Sequence, residues 1–164
     1  MDLPRLFHYQ SRLNRRIIEK RGLKGERERI ETQRLALLVE IGELANSWRG
    51  FKVWQTDRSP RRPEMLEEYS DCLHFFASTG LKLGVDPAKV KMQAIRLGDT
   101  ISQFRELFRR VSGMETPEDW EASFQLFLGL GEMLGLSDEE IKQAYLRKHE
   151  INYRRLEEAE YVHQ

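Results

Sequence analysis

The sequence has one cysteine among its 164 residues and no net charge, because 27 Lys and Arg residues balance 27 Asp and Glu residues. A single cysteine cannot form an internal disulfide, so the chain does not require an oxidising compartment. This residue, Cys72, is predicted to be a small buried packing residue without a chemical role. A balanced charge gives no indication of bulk attraction to nucleic acid or to a membrane surface.

Long apolar runs are absent as well. No stretch approaches 18 consecutive apolar residues, so no transmembrane helix is predicted, and the first residues lack the apolar core of a signal peptide. We therefore expect a cytoplasmic protein with neither nucleic acid nor a membrane as its partner. The composition, 40% hydrophobic and 33% charged, supports a folded core, and the length fits one domain over residues 1–164.

Strand-like alternation and two-residue hairpin signals are missing, whereas helical periodicity extends along most of the chain. Glycine, proline and capping residues divide this pattern into segments. The Asp86-Pro87 pair, for example, indicates an N-cap and a first helical residue, and Ser137 with Glu140 has the pattern of a capping box. We predict an all-α bundle of about six helices with mostly short connections. The predicted helices cover about residues 3–20, 27–49, 64–83, 86–113, 116–135 and 137 onward.

Two pairs of acidic residues have a spacing that places both members on one helix face. Glu40 and Glu43 are three residues apart on the second predicted helix, and Glu68 and Asp71 are three apart on the third. Side chains at this spacing project together, so the two pairs can converge if the helices face each other. Four adjacent carboxylates repel one another, and a cation makes the arrangement tolerable. Carboxylate oxygens suit Mg²⁺, which we predict as the cofactor.

The surroundings of these acids favour a site over a solvated surface, which is the ordinary interpretation of one such pair. Residues 35–48 read LALLVEIGELANSW, so apolar residues cover most of the circumference and predict a buried helix. No Lys or Arg lies between residues 34 and 49, or between residues 62 and 82, to neutralise the acids locally. Di-iron bundles typically need two Glu-x-x-His motifs. This chain has only one acidic counterpart, Asp71 with His74, so iron is the weaker choice.

Four segments, in order along the chain, resemble the dimeric dUTPases of bacteria and phages. That family belongs to the all-α NTP pyrophosphatases, which also include the MazG-type enzymes. The resemblance covers most of the chain, and four ordered segments are more specific than any single acidic pair. The segments are LFHYQSRLNRRI, ALLVEIGELANSWRGFKVW, EEYSDCLHFFASTGLKLG and AYLRKHEINYRR.

The resemblance implies a homodimer and Mg²⁺-dependent hydrolysis of dUTP to dUMP and pyrophosphate, which would cleanse the nucleotide pool and supply a dTTP precursor. It implies that Glu40, Glu43, Glu68 and Asp71 are catalytic residues that ligate Mg²⁺. A bound metal neutralises phosphate charge and lowers the pKa of an attacking water. Glu40 is expected to orient or deprotonate that water. A dimer is also expected because an apolar second helix is hard to cover within one chain of this length.

The last helix carries the predicted phosphate-binding residues. Lys148, Asn152 and Arg155 share one face by their i, i+4, i+7 spacing and match the residues that this family turns toward the phosphates. They offer a point charge, a neutral donor and a bidentate fork, although a solvated basic face is the alternative. Lys52, in the loop after the second helix, is a further candidate. The tail departs from the family, which often continues with Gln and a Gly-Tyr-containing stretch, whereas residues 156–161 read LEEAEY.

The predicted base-binding residues come from the first three helices. Gln10 and Asn14, one turn apart, carry amides that can match the donors and acceptors on a uracil edge. His74 could touch the base, and Trp48 could stack on it. All four positions resemble the uracil pocket of the family. The alternatives are surface amides, a satisfied core histidine and a core tryptophan.

Two functions other than dUTP hydrolysis remain open at this point. A related pyrophosphatase acting on dCTP or a modified nucleotide would use the same metal site with another base pocket. A non-catalytic helical dimer, acting as a regulatory binding module, would share the fold but would have no use for four unpaired acids.

Overall fold

The computed structural model describes residues 1–22 and 29–161, and the regular secondary structure in these ranges is α-helical throughout. This confirms the predicted all-α fold of about six helices. The predicted start of the second helix near residue 27 lies outside the described residues. Within the described ranges, no helix combines the length and apolarity needed to cross a membrane. The helices are α1 (Leu3–Arg21), α2 (Ile30–Trp48), α3 (Arg62–Leu83), α4 (Thr100–Ser112), α5 (Pro117–Met133) and α6 (Asp138–Tyr161).

The centre of the bundle is α3, which packs against α1, α2, α5 and α6. Its α5 side is aromatic, because Trp120, Phe124 and Phe127 of α5 are fully buried there. Trp120 Nε1 donates to the carbonyl of Phe76 at 2.8 Å, and Tyr69 Oη donates to the carbonyl of Phe127 at 3.1 Å. Buried aromatic groups supply much apolar contact area, and these two also have their polar atoms satisfied. The aromatic layer therefore holds α3 in a defined position.

Capping residues fix how α3 and α6 begin and end. Gly84 ends α3 with a φ of 74°, a left-handed conformation that favours glycine. The predicted capping box is present, since Ser137 Oγ accepts from Glu140 N at 3.2 Å and Glu140 Oε2 accepts from Ser137 N at 3.0 Å. Glu140 also pairs with Arg62 at 2.7 Å. This ion pair joins the first turn of α6 to the first turn of α3.

The predicted start of the fourth helix at Asp86-Pro87 is wrong, because α4 begins at Thr100 with Asp99 as its N-cap. Asp86 caps only a single turn. The segment 90–97 instead runs along α5, where Ile95 N donates to the carbonyl of Gln125 at 3.0 Å. Gly129 makes this close approach possible, since a Cβ there would lie 1.9 Å from the Ile95 carbonyl oxygen. Tertiary hydrogen bonds have replaced the local helix that the capping pattern predicted.

The prediction that α2 is buried around its circumference is only partly right. Leu37, Ile41 and Leu44 are fully buried against the rest of the bundle. Leu35 and Val39, on the opposite side of the helix, are 63% and 51% exposed. A helix at the edge of one subunit can bury one face only, so the other apolar face of α2 stays open.

Candidate active site

The two predicted acidic pairs come together where α2 packs on α3. One ligand oxygen from each of Glu40, Glu68 and Asp71 lies within 4.8 Å of the other two. Glu43 adjoins this group, because its carboxylate raises the pKa of both Glu40 and Glu68. We call Glu40, Glu43, Glu68 and Asp71 the carboxylate cluster. The helical i, i+3 spacing thus produces the convergence that was predicted from the sequence.

The carboxylate cluster is electrostatically unfavourable on its own. Burial, reinforced by the other cluster carboxylates, raises the pKa of Glu40 to about 8, and the same causes raise the pKa of Glu68 to about 7. Burial also raises the pKa of Asp71, although Lys148 works against this shift. Glu40 Oε2 and Glu68 Oε2 are buried and have no hydrogen-bond partner among the described residues. Buried carboxylate oxygens of this kind need a counter-charge.

The chemistry of the donor set fits a hard cation. Every side chain of the carboxylate cluster offers oxygen, which Mg²⁺ prefers, and none offers the sulfur or imidazole nitrogen typical of zinc. His74, the nearest histidine in sequence, has its Nδ1 2.8 Å from Gln10 Oε1 and so is already engaged in a hydrogen bond. The two orphaned carboxylate oxygens are the positions that a cation would satisfy. The residues therefore fit the predicted Mg²⁺ site.

A cavity of about 330 Å³ opens on the Glu40 and Asp71 side of the carboxylate cluster, between α1, α3 and α6. We call it the main cavity. Apolar side chains such as Leu13, Ile17 and Phe75 form part of its wall. The structure thus places predicted metal, phosphate and base residues around one space. The predicted site residues that line it are Gln10, Glu40, Asp71, His74, Lys148, Asn152 and Arg155.

Lys148 joins the basic face of α6 to the carboxylate cluster. Its Nζ lies 2.9 Å from Asp71 Oδ2 and 3.1 Å from Glu67 Oε1, and its side chain is only 15% exposed. Although burial opposes the charged form, these two carboxylates raise the pKa of Lys148. Lys148 is therefore a half-buried, ion-paired cation at the boundary between the cluster and the cavity, and not part of a solvated basic face.

The opposite side of the carboxylate cluster faces a smaller recess of about 290 Å³, which we call the side recess. Glu43 and Glu68 line it together with Lys52, the further phosphate candidate. Arg61 also lines the side recess and was not predicted from the sequence. Its backbone N donates to the carbonyl of Ser47 at 3.0 Å, which brings the start of α3 back to the end of α2. The cluster thus has cationic side chains on both sides.

The predicted base residues form a hydrogen-bonded group beside the main cavity. Gln10 Nε2 donates to Asn14 Oδ1 at 2.9 Å, and Asn14 Nδ2 donates to Ser78 Oγ at 3.0 Å. Asn14 and Ser78 also line a neighbouring cavity of about 470 Å³ between α1 and α3. Ser78 was missed in the sequence, although its i+4 spacing from His74 matches that of Asn14 from Gln10. Gln10 and His74 are buried, so neither is a surface polar residue.

Trp48 lies apart from these residues. Its ring packs against Phe104 with centroids 5.5 Å apart, and it does not line the main cavity. The exposed aromatic side chain of this region is Trp54, which is 71% exposed and meets Phe51 edge-on at 5.8 Å. The arrangement agrees with the core alternative for Trp48. Its stacking on a base stays a prediction that nothing in the observed packing supports.

A protein-family model described as dUTPase matches residues 2–161 of the chain. No curated protein matches it. The matched range contains the carboxylate cluster and every other predicted site residue.

The metal-free protein should lose stability as the pH rises from 6.5 to 8.5. The folded chain holds protons on Glu40 and Glu68 that the unfolded chain has already released near pH 4.5. The native state therefore binds more protons in this window, and its free energy of unfolding must fall. Below pH 6.5 the lowered pKa of His74 acts in the opposite direction, so the window starts above it. Urea denaturation in the presence of a chelator measures the slope.

Glu40→Gln should flatten that slope, because it removes the carboxyl with the higher pKa. Glu31→Gln is the matched control, since Glu31 lies on the same helix with an exposed side chain, and it should keep the wild-type slope. A free energy of unfolding that stays constant or rises between these pH values in the wild type would contradict the electrostatic description of the cluster.

Proposed function

This chain belongs to the dUTPase family, and from that premise we propose that it hydrolyses dUTP to dUMP and pyrophosphate with Mg²⁺ as its cofactor. The observation that carries the proposal is the carboxylate cluster with its two orphaned buried oxygens, facing a cavity that carries Lys148, Asn152 and Arg155 at its α6 wall. Acids for a cation and donors for phosphate oxygens thus line a single space. A reaction of this kind belongs where nucleotides are made, so we place the enzyme in the cytoplasm.

The metal would be held by Glu40, Glu43, Glu68 and Asp71. When bound, Mg²⁺ supplies charge neutralisation at the phosphates and a lowered pKa for the attacking water. Glu40 is the proposed base, because its carboxylate belongs to the carboxylate cluster and also lines the main cavity, where the phosphates would bind. It accepts the proton that the water loses as its oxygen bonds to phosphorus and the bond to pyrophosphate breaks.

The α6 residues bind and orient the phosphates. Lys148 forms ion pairs with Asp71 and Glu67, and its ammonium group would turn to a phosphate oxygen if Asp71 held the metal. Arg155 can donate two parallel hydrogen bonds from its planar guanidinium group to phosphate oxygens, and Asn152 adds a neutral donor. Lys52 lines the side recess beside Glu43 and Glu68, where its ammonium group would bind a phosphate oxygen on the far side of the cluster.

The base binds where Gln10, Asn14 and His74 meet. Gln10 is hydrogen-bonded to both Asn14 and His74, and Gln10 and His74 line the same cavity as the phosphate residues. A preformed group of this kind loses little side-chain entropy when a ligand binds. The geometry supports recognition of a base by its polar edge.

The active form is proposed to be a homodimer that buries the outer face of α2. Leu35 and Val39 project from this face with 63% and 51% exposure, and Ile101 of α4 is 46% exposed. A Cβ added at Gly42, on the same face of α2, would lie 3.9 Å from Phe108 Cζ of α4. The two helices therefore meet beside this face, and Ile101 lies two turns before Phe108 on α4. A contiguous exposed apolar surface is typical of a protein contact.

Pyrophosphate release with Mg²⁺ should be strongly selective for dUTP among dUTP, dTTP, dCTP and UTP. Glu43→Gln should reduce turnover of dUTP by roughly 100-fold or more, because removal of a cluster carboxylate weakens the charge stabilisation that a metal provides. The release of pyrophosphate is measured with a coupled phosphate assay. Glu31→Gln, on the exposed first turn of the same helix, should retain wild-type turnover.

The outcomes separate the three functions. A second outcome is that the wild type turns over another nucleotide and that Glu43→Gln loses this turnover. That result would support the metal site and identify the other nucleotide as the substrate in place of dUTP. No turnover of any nucleotide by folded protein would instead favour a regulatory binding module.

The wild type should have twice the 19.5 kDa mass of the chain in size-exclusion chromatography with light scattering. A double variant, Leu35→Lys and Val39→Lys, should elute as the monomer, because burial of two ammonium groups in the contact is costly. Leu146→Lys, a similarly exposed leucine on α6, should leave the mass unchanged. A double variant that keeps the wild-type mass would place the dimer contact elsewhere.

A further inference from the structure

One cationic side chain of the main cavity was not predicted from the sequence. Arg21, the last residue of α1, lines this cavity together with Lys148 and Arg155 of α6. Arg21 follows Gln10 by eleven residues, which is about three helix turns, so both side chains project from the same face of α1. The wall that α1 gives to the cavity therefore begins with an amide and ends with a guanidinium group.

The end of α1 is held against α6. Ile17 of α1 packs with Leu156 of α6 in a small buried cluster, and Lys20 Nζ donates to the carbonyl of Leu156 at 3.4 Å. Arg21 directly follows Lys20, and Arg155 directly precedes Leu156. The two arginines thus extend from helix positions next to this contact, and both line the main cavity.

This contact lies well beyond the carboxylate cluster along both helices. Arg21 is eleven residues past Gln10 on α1, a rise of about 16 Å. Lys148 is ion-paired with Asp71, and Arg155 is seven residues past Lys148 on α6, a rise of about 10 Å. The main cavity therefore has the base residues and the predicted metal ligands toward one end and two guanidinium groups toward the other.

The charge of these two arginines is not balanced within the cavity. Among the described residues, neither Arg21 nor Arg155 has an ion-pair or hydrogen-bond partner, whereas Lys148 is paired with Asp71. The described acidic residues that line the cavity are Glu40 and Asp71, and both belong to the carboxylate cluster. Exposed arginines are ordinary on a protein surface. Two unpaired arginines that line one cavity, next to a helix contact that fixes them, favour a site for an anion.

We propose that Arg21 and Arg155 together bind the two outer phosphates of the nucleotide, which leave as pyrophosphate. This assignment rests on the proposed function. With the base at Gln10 and the reacting phosphate at the carboxylate cluster, the outer phosphates are the part of the substrate that remains for the arginine end. Guanidinium groups donate paired hydrogen bonds to phosphate oxygens. Two such groups close together repel each other, and an anion between them removes this repulsion.

Arg21 and Arg155 act on the leaving group. As the bond between phosphorus and pyrophosphate breaks, negative charge develops on the departing oxygen, and donors already fixed around the pyrophosphate stabilise it. These contacts persist after cleavage with pyrophosphate but not with dUMP, whose phosphate lies at the carboxylate cluster. The binding of the two products should therefore depend differently on the two arginines.

Calorimetric titration of the full chain with each product, at pH 7.5 with Mg²⁺ present, measures this difference. Arg21→Ala should weaken the binding of inorganic pyrophosphate by about tenfold or more, as expected for the loss of a charged hydrogen-bonding group. The binding of dUMP should stay at the wild-type value. Arg155→Ala should show the same selective loss, because both guanidinium groups bind the same product.

Matched variants isolate the role of the guanidinium group. Arg16→Ala removes the same charge from an exposed position of α1 that does not line the main cavity, and it should leave both affinities unchanged. Arg21→Lys keeps the charge but loses the paired donors, so its affinity for pyrophosphate should lie between those of the wild type and Arg21→Ala. Circular dichroism checks that each variant is folded, which is expected at exposed helix positions.

The results distinguish this proposal from the proposed function. An Arg21→Ala variant that binds pyrophosphate as tightly as Arg16→Ala, or that loses dUMP binding equally, would overturn the role of Arg21 even if the protein hydrolyses dUTP. Folded wild-type protein that binds no pyrophosphate would overturn it as well. A selective loss of pyrophosphate binding in a protein that hydrolyses no nucleotide would support the arginine site and overturn the proposed function.

Discussion

Repulsion among four carboxylates is the constraint on which the site depends. Glu40 and Glu43 from α2 meet Glu68 and Asp71 from α3 at the most extensive helix contact of the bundle. Burial raises the pKa of Glu40 and Glu68 into the neutral range, so the metal-free arrangement is held together by the surrounding packing and not by the acids themselves. The electrostatic repulsion destabilises the metal-free fold, and the same buried carboxylates would bind a hard cation strongly.

The elements around the carboxylate cluster compensate for it in different ways. Lys148 of α6 already neutralises part of the charge through Asp71, and Lys52 and Arg61 lie on the opposite side. On the α1 side, Gln10 and His74 are neutral, because burial keeps His74 uncharged, whereas Arg21 at the end of α1 adds a cation to the cavity wall. The main cavity therefore has cations along part of its wall and a neutral hydrogen-bonding group along another part. A nucleotide has the same division between its phosphates and its base.

The spacing of residues within one or two helix turns predicted which side chains of the site share a helix face. The acidic pairs, the Lys148 face and the Gln10 and Asn14 pair all follow from i, i+3 or i, i+4 positions, and the capping box of α6 follows from Ser137 and Glu140. The predictions that were wrong, or the residues that were missed, depend on contacts between segments that are distant in the sequence. The start of α4 moved to Thr100 because Gly129 lets segment 90–97 bond to α5. Trp48 packs on Phe104, and Ser78 acquires its partner from α1. No local pattern contains those pairings.

The central claim is that the four carboxylates form a cation site, and binding of Mn²⁺ as a spectroscopic substitute for Mg²⁺ tests it most directly. The electron paramagnetic resonance signal of free Mn²⁺ should be lost on addition of metal-free wild-type protein and should return when Mg²⁺ is added in excess. Glu68→Gln should weaken Mn²⁺ binding by roughly tenfold or more, and Glu31→Gln should not change it. Folded wild-type protein that leaves the free Mn²⁺ signal intact, or equal binding by Glu68→Gln, would contradict the account.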